Sequence, residues 1–175
     1  GEKLKLKIWR DNKEVDVAVP MEVRDDDLNI GNLYDAPPRY FVFAGLVFTP
    51  LTLDYVKTFG RNWRGVANSE MIYELYYRRN ETPAKVRKEP VVLASTLAHP
   101  VNADMRLASR AMIDTINGKR IETLEDVIAA FEENTKPQHM IQFISGTVEC
   151  LDNTRAELAN PEILSTYGIQ TDRRL

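Results

Sequence analysis

The 175-residue sequence predicts an α+β fold that is mainly β-structure. Residues 4–19 alternate apolar and polar side chains on both sides of a turn, as a β-hairpin does. Residues 91–131 combine a strand, an Asn-Gly turn, a short strand and an amphipathic helix. Residues 140–151 indicate a second hairpin through Ser145-Gly146, in which Cys150 is expected to be a buried strand residue. Because the amphipathic helix must cover an apolar surface, we expect it to share a core with a sheet.

The first hairpin has an apolar face and a charged face. Its apolar positions are Leu4, Leu6, Ile8, Val15, Val17 and Val19. Since a lone hairpin is marginal in water, we expect this one to dock on something. Residues 21–38 are acidic and rich in turn residues, which predicts a linker. Three aspartates at positions 25–27 are better explained by a solvated linker than by a metal site.

The apolar stretch at residues 40–48 predicts a central strand, interrupted by Ala44-Gly45. A glycine inside a strand marks a bulge, a bend or a close approach by other backbone. One interpretation is therefore a strand with a bulge. The other is a loop whose backbone N–H groups receive a carboxylate or an incoming strand. The residues alone leave both interpretations open.

Helices are predicted at three places and a fourth is expected at the end of the chain. The first occupies residues 52–59, with Thr52 as cap and Gly60 after its end. The second begins at Asn68 or Ser69 and ends near residue 79, in a region rich in tyrosine and arginine. Such aromatics could stack on nucleic-acid bases, but the surrounding acidity favours core packing or a protein contact. Residues 160–175 are expected to form a short helix and then fray.

The third helix, at residues 123–134, carries the clearest signal. Thr123 can cap it, with Asp126 in a capping-box position. Its apolar residues recur with the spacing of one helix face: Leu124, Val127, Ile128 and Phe131.

Composition limits the function. The net charge of −3 with interspersed signs makes nucleic acid an unexpected partner. No apolar run approaches the roughly 20 residues that a membrane-spanning helix needs, so membrane insertion is not expected. One cysteine excludes an internal disulfide. The chain begins Gly-Glu, from which we expect an excised fragment or a processed chain.

Motifs for catalysis are not found. His99 and His139 are the only histidines, and neither has the spacing of a zinc site. The sequence contains no G-x-S-x-G elbow and no glycine-rich phosphate loop. We therefore predict no catalytic residue, no metal and no cofactor. A small hydrolase that uses His99 or His139 is kept as a minor alternative.

Several segments resemble a known family. Asn117-Gly118, Arg120 and Ile121, with the helix that follows, resemble the strand-turn-helix signature of PDZ domains. The segment YFVFAGLVFTPLT resembles the opening of the second PDZ domain of Deg/HtrA-type serine proteases, in the branch that includes plant Deg enzymes. VVLASTLAHPVNADM, MIDTINGKRIETLEDV and ILSTYGIQTDRRL are similar to later segments of that domain in the same order. The resemblance covers residues 38–175, and residues 4–20 are similar to the closing hairpin of the preceding PDZ domain.

The resemblance implies a PDZ-like, partly open β-barrel or sandwich capped by helices. We expect residues 1–32 to be the N-terminal hairpin and linker, residues 33–160 the PDZ-like domain with a helical insertion at 52–89, and residues 161–175 a tail. The protease domain of the family is absent from this sequence, so the fragment is not expected to cleave anything. The parent is expected to be a serine endopeptidase, with the bacterial periplasm or cell envelope favoured over plant compartments.

In PDZ domains a peptide adds a strand beside the strand that follows the glycine loop, and a helix forms the other wall. By resemblance, the peptide-binding candidates are Ala44, Gly45, Leu46, Val47 and Phe48 on the loop and strand, and Thr123, Val127 and Ala130 on the helix. Leu124, Ile128 and Phe131 would face the core. Pro50 lacks an N–H, and a helix follows it closely, so we expect a groove that is short or filled by a protein segment.

The function implied is a non-catalytic regulatory module. Its expected partners are peptide segments or unfolded protein, other subunits of a homo-oligomeric parent, or the protease domain of that parent. Through them it would control assembly and substrate access in protein quality control. The main alternative is direct capture of the C-terminal peptides of substrates.

Overall fold

The computed structural model describes residues 2–21, 36–106 and 110–175. In these residues the strands are β1 Lys3–Arg10, β2 Lys13–Pro20, β3 Tyr40–Phe43, β4 Leu46–Pro50, β5 Val91–Thr96, β6 Ala111–Ile116, β7 Lys119–Arg120, β8 Gln138–Phe143, β9 Val148–Asp152 and β10 Arg173–Arg174. The helices are α1 Leu53–Lys57, α2 Trp63–Val66, α3 Ser69–Tyr76, α4 Arg78–Glu81, α5 Leu124–Glu132 and α6 Asn153–Thr166, with a 3-10 turn at Pro83–Lys85.

The larger sheet has the strand order β10-β3-β4-β5-β6-β8-β9, and β7 pairs with β6. All pairings between the described strands are antiparallel. The sheet is open and is not closed into a barrel. The α+β class with a majority of β-structure is thus confirmed.

Strands β1 and β2 form a sheet of their own, with the predicted apolar positions opposite one another. Asp11 and Asn12 make the turn at φ of 53° and 59°. Both positive values suit the right-handed twist of a two-residue hairpin. The expectation that this hairpin docks is not met within the described residues, because none of the residues of β1 or β2 is buried.

Of the two interpretations of residues 40–48, the single strand with a bulge is wrong, because the chain reverses direction in a loop at Ala44-Gly45. β3 and β4 are joined by Ala44-Gly45, whose φ values of 51° and 84° make a tight hairpin turn. The register of β4 does shift, but at a different place from the predicted bulge: between Val47 and Phe48, where β4 pairs with β5.

The sheet has a hydrophobic cluster on each face. Along β5, Val91 and Leu93 belong to one cluster and Val92 to the other, as alternation in a strand requires. The first cluster contains the apolar face of α5. The second contains buried residues of α1, α2 and α3 together with Met112 of β6. The predicted insertion at 52–89 therefore builds a second core layer.

The predicted first residues of the helices agree with the structure better than the predicted last residues do. Thr52 and Thr123 both accept the expected N-cap hydrogen bonds, and Thr123 with Asp126 forms a capping box. The second predicted helix ends earlier than residue 79, since α3 stops at Tyr76 and α4 follows as a separate turn. Helix α2 was not predicted, because four residues are too short to show a periodic pattern.

Three predictions near the C-terminus differ from the structure. Helix α6 begins at Asn153, where the Asp152 side chain accepts a hydrogen bond from the Arg155 N–H, and it continues through Pro161. The predicted boundary between residues 160 and 161 thus lies inside a helix. The chain end does not fray, because β10 pairs with β3. Cys150 is exposed, since the strand alternation places its neighbours, and not Cys150, on the buried face.

Candidate functional site

The predicted loop and the predicted helix lie side by side. The rings of Phe48 on β4 and Phe131 on α5 have centroids 5.6 Å apart. Thr123 caps α5, and Val127 and Ala130 lie along it. The structure therefore brings together the two elements that the resemblance assigned to a peptide groove.

Strand β4 has a partner on both edges. β3 pairs with it at Val42↔Val47 and its neighbours, and β5 pairs with it at Thr49↔Val92 and its neighbours. We predicted a groove that is short or filled by a protein segment, and β3 lies along this edge of β4. The tight turn at Ala44-Gly45 folds β3 back onto the edge where an incoming strand would lie.

Most of the eight candidate residues belong to the hydrophobic core. Ala44, Leu46, Phe48 and Val127 are completely buried, and Ala130 is nearly so. Val47 and Thr123 are half-buried. The expected division of α5 into a groove wall and a core side is therefore not seen, because the first cluster contains Val127 and Ala130 as well as Leu124, Ile128 and Phe131.

Two phenylalanines of β3 fill the space between β4 and α5. The ring centroid of Phe43 lies 4.7 Å from that of Phe131, and the centroid of Phe41 lies 6.2 Å from it. Aromatic pairs at such separations contribute about 0.5–1.5 kcal/mol beyond their buried area. Arg39, just before β3, forms ion pairs with Glu89 and with Glu125 in the first turn of α5. β3 is thus held to α5 by both rings and charges.

The loop uses its own chain to satisfy its backbone. The Ala44 N–H donates to Oδ1 of Asn160 on α6 over 2.9 Å. Nδ2 of Asn102 donates to the Ala44 carbonyl (2.9 Å) and to the Leu97 carbonyl (2.8 Å). The Leu97 N–H donates to the Gly45 carbonyl over 2.7 Å. The Ala44 N–H, which could otherwise donate to a peptide carboxylate, is therefore already used by the side-chain oxygen of Asn160.

Sequence reasoning missed Asn102 and Asn160. Neither belongs to a motif, and each acts on the loop only because the chain folds back over a long separation. Asn102 is buried and closes the crossing between β5 and β6 onto the turn.

Strand β10 covers the outer edge of β3. The Val42 N–H donates to the Asp172 carbonyl over 2.7 Å. The Arg173 guanidinium contacts the carboxylates of Asp172 and of Glu132 at the end of α5, each at 2.8 Å. The hydrogen bond to Asp172, and then that to Glu132, raise the pKa of Arg173 above its ordinary range. The C-terminal segment therefore ties β3 to α5 a second time.

The histidines do not resemble a catalytic pair. His139 is completely buried and hydrogen-bonds to asparagine side chains. His99 Nδ1 accepts the Val101 N–H, and its Nε2 lies 3.8 Å from Glu162 Oε2. A general base must reach a substrate proton, which a sealed imidazole such as that of His139 does not do.

Within residues 2–21, 36–106 and 110–175, three or more histidine, cysteine or acidic side chains do not come together in an arrangement that could hold a metal ion. The aspartates at 25–27, which we considered as metal ligands, lie outside the described residues. The helices of the described chain are all too short or too polar to cross a membrane.

Comparison with known proteins gives one family. The family described as "PDZ domain" matches residues 16–174. Three similar proteins from Arabidopsis thaliana are named as candidate proteases: Do-like 11, mitochondrial (21% identical over 98% of this chain), Do-like 13 (22% over 97%) and Do-like 3, mitochondrial (23% over 94%).

The chain spans only 25%, 29% and 27% of the lengths of these three relatives. Its open antiparallel sheet and its helix α5 agree with the fold of that family. Because the family match extends over nearly all of the sequence, the chain belongs to the PDZ domain family.

Proposed function

We propose that this PDZ domain is a non-catalytic regulatory module of a Deg/HtrA-type serine endopeptidase. In this role it binds segments of its own assembly, and it controls subunit assembly and substrate access without capturing free substrate ends. PDZ domains are protein-interaction modules, and the named relatives are candidate proteases. The observation that carries the proposal is the position of β3, which lies where an added strand would pair with β4.

An external peptide would have to displace β3 before it could pair with β4. Displacement would break the β3–β4 ladder and would remove Phe41 and Phe43 from Phe131. Fully burying one phenylalanine side chain contributes about 1.5–3 kcal/mol. Since each 1.4 kcal/mol is about a tenfold change in affinity, a competing peptide would begin with a large disadvantage.

The alternative, direct capture of substrate C-termini, requires donors for a terminal carboxylate. Of the N–H groups in the turn, that of Ala44 already donates to Oδ1 of Asn160. Substitutions such as Gly45→Val or Val127→Glu cannot separate the two functions, because both positions are buried in the core. Binding of C-terminal peptides by the unaltered protein distinguishes the two functions better.

Fluorescence anisotropy with a library of labelled C-terminal peptides tests the first half of the proposal. At neutral pH we expect no saturable binding tighter than about 1 mM, or about −4 kcal/mol. Micromolar binding that disappears when the peptide C-terminus is amidated would establish capture of substrate ends instead. The variant Asn160→Ala releases the Ala44 N–H while leaving β3 in place. We expect it to show no peptide binding in the same assay.

The second half is tested in the full-length parent. Removal of residues 36–175 is expected to change the number of subunits per oligomer in analytical ultracentrifugation and to alter cleavage of an unfolded protein. Cleavage of a small fluorogenic peptide should not change, because that reaction needs neither assembly control nor gated access. An unchanged number of subunits and unchanged cleavage of both substrates would contradict the proposal.

The fragment itself is proposed to have no hydrolase activity, and the parent is proposed to reside in the bacterial envelope. A broad hydrolase panel with the purified chain and cell fractionation of the parent, respectively, test these two statements.

A further inference from the structure

A second cluster of polar side chains surrounds the buried His139. The imidazole Nε2 lies 2.9 Å from Oδ1 of Asn153, at the start of α6. Its Nδ1 lies 3.0 Å from Nδ2 of Asn134, just after α5, and 3.2 Å from Nδ2 of Asn117, in the β6–β7 turn. The imidazole on β8 is therefore in contact with three further parts of the fold: the β6–β7 turn, the segment after α5 and the start of α6.

Other hydrogen bonds fix the orientation of each amide. Asn117 Nδ2 also donates to the Ala130 carbonyl (2.7 Å), and its Oδ1 accepts the Met140 N–H (2.9 Å). Asn134 Nδ2 also donates to the Gln138 carbonyl over 3.1 Å. Asparagine O and N atoms are assigned from such networks, and here both amides present N–H groups to Nδ1.

Asn153 is fixed in the opposite sense. Its Nδ2 donates to the carbonyls of Asn134 (3.1 Å) and Lys136 (3.0 Å), so its Oδ1 faces the ring as an acceptor. The imidazole of His139 must therefore carry its proton on Nε2 and accept with Nδ1. This is a neutral ring in a single tautomer.

The surroundings of the ring are mainly uncharged. The rings of Phe43 on β3 and Phe131 on α5 meet it edge to face, with centroids at 5.3 Å and 4.9 Å. The neighbouring strand β9 places Leu151 opposite it. The negatively charged carboxylate of Glu157 on α6 acts electrostatically on the imidazole.

We propose that His139 and its three asparagines form a proton-sensitive clamp that presses α5 onto β3 and so keeps the groove beside β4 filled. This inference rests on the proposed function, since the filled groove is the state that the clamp would hold. Phe43, which contacts the imidazole, is one of the two phenylalanines that fill the groove, and Phe131 is the α5 ring against which it packs.

Protonation would break the network at Nδ1. A second N–H there would point at two amide N–H groups, and donors do not bond to donors. At least one asparagine would have to rotate. Asn117 would then lose the Ala130 carbonyl of α5, or Asn134 would lose the Gln138 carbonyl of β8.

The direction of the pH effect follows from burial. Desolvation lowers the pKa of His139 below its ordinary value, against the opposing effects of the Asn153 hydrogen bond and the Glu157 carboxylate. An unfolded histidine titrates near pH 6.5. The stabilisation by neutral His139 is therefore complete above about pH 6.5 and is lost as the pH falls toward the lower folded pKa.

Imidazole NMR of the unaltered protein tests the geometry. The sequence contains only two histidines, so His139→Gln or His99→Gln assigns the signals. We expect His139 to show the Nε2–H tautomer and to titrate below the ordinary value of a histidine. An Nδ1–H tautomer, or a pKa of His139 at or above the ordinary value, would overturn the clamp, and this result does not depend on whether the His139 variant folds.

Hydrogen exchange tests the consequence for the groove. Protection factors of the β3 and α5 amides are compared about one pH unit above and about one unit below pH 6.5. In the unaltered protein and in His99→Gln, the more acidic sample should lose protection by at most about tenfold, because it lies only about one pH unit below the unfolded pKa. His139→Gln should lose less. An equal loss in His139→Gln would overturn the clamp.

The two proposals can fail separately. Tight binding of C-terminal peptides at neutral pH would contradict the filled groove. If the protein binds no peptide and the protection factors of its β3 and α5 amides do not depend on pH, only the clamp is contradicted.

Discussion

Gly45 occupies a position where any side chain would meet the backbone of another segment. Its φ is 84°, and an added Cβ would lie 2.5 Å from the Leu97 carbonyl oxygen and 2.5 Å from Asn102 Nδ2. Gly118 has the same φ, but an added Cβ would meet nothing within 4 Å. The two glycines therefore separate backbone strain from steric overlap.

Gly118→Ala is expected to lower the free energy of unfolding by about 1 kcal/mol, since only the positive φ is strained. Gly45→Ala is expected to lower it by about 3 kcal/mol or more, because the turn must also move away from Leu97. Urea denaturation of both variants measures the difference. Equal losses would mean that the close approach at Gly45 is not a constraint.

The Tyr55 hydroxyl is buried and has no hydrogen-bond partner among the described residues. Burial raises the pKa of Tyr55 to about 12, against the opposing effect of Arg110. A buried polar group without a partner costs about 1–3 kcal/mol. This hydroxyl therefore opposes folding.

Tyr55→Phe is expected to raise the free energy of unfolding by about 1 kcal/mol at neutral pH. The folded state favours the neutral phenol, so in the unaltered protein stability should also fall as the pH rises from about 10 toward 12. The variant should lack the part of this loss that Tyr55 causes. Urea melts near neutral pH and near pH 11 provide the measurement.

Tyr40→Phe is the control for Tyr55→Phe, because the Tyr40 hydroxyl donates to the Thr171 carbonyl over 3.0 Å. It should lose about 0.5–1.5 kcal/mol. A loss of stability in Tyr55→Phe of the same size would show that the Tyr55 hydroxyl does have a partner.

At the scale of elements, α5 depends on its N-terminal cap. Thr123 Oγ1 accepts the Asp126 N–H, and Asp126 Oδ2 accepts the N–H groups of Glu122 and Thr123. These bonds satisfy donors that a helix start leaves without partners. The cap therefore sets where α5 begins against the sheet.

Thr123→Ala is expected to lower the free energy of unfolding by about 1 kcal/mol, within the range of 0.5–2 kcal/mol known for such caps. Thr123→Ser keeps the hydroxyl and should stay close to the unaltered protein. Thermal denaturation followed by circular dichroism distinguishes them. If both variants melt alike, the Thr123 oxygen does not stabilise α5.

Elements with local signals were predictable from the sequence. The Asn117-Gly118 turn requires positive φ at both positions, and the spacing of Leu124, Ile128 and Phe131 marks one helix face. Helix α6 gave a weak signal, because Pro161 interrupts the pattern. Only packing of its buried residues against the rest of the fold compensates for this proline.

At the scale of the whole molecule, the sheet is a layer between two cores. α5 covers one face through Phe131, and α1 to α3 cover the other with residues that include Met71. If the insertion is an integral layer, both clusters should unfold together. A structurally independent insertion would instead melt by itself.

Phe131→Ala and Met71→Ala are expected to lower the free energy of unfolding by about 3–5 and about 2–5 kcal/mol respectively, because both side chains are buried. Each variant should still unfold in one transition by tryptophan fluorescence and circular dichroism. Leu158→Ala, whose side chain is 75% exposed, should change stability by less than about 0.5 kcal/mol. Separate transitions in Met71→Ala would contradict cooperative unfolding of the two clusters.

The fold class, the first hairpin and the caps of α1 and α5 follow from the sequence by itself. Each depends on residues that are close together in the chain, so propensity, alternation and turn geometry act locally. Only the tertiary structure decided that β3 fills the edge of β4, that Asn102 and Asn160 satisfy the loop, and that three asparagines surround His139. These contacts join segments far apart in the chain, and their stability comes from buried area and hydrogen bonds that exist only after those segments pack together.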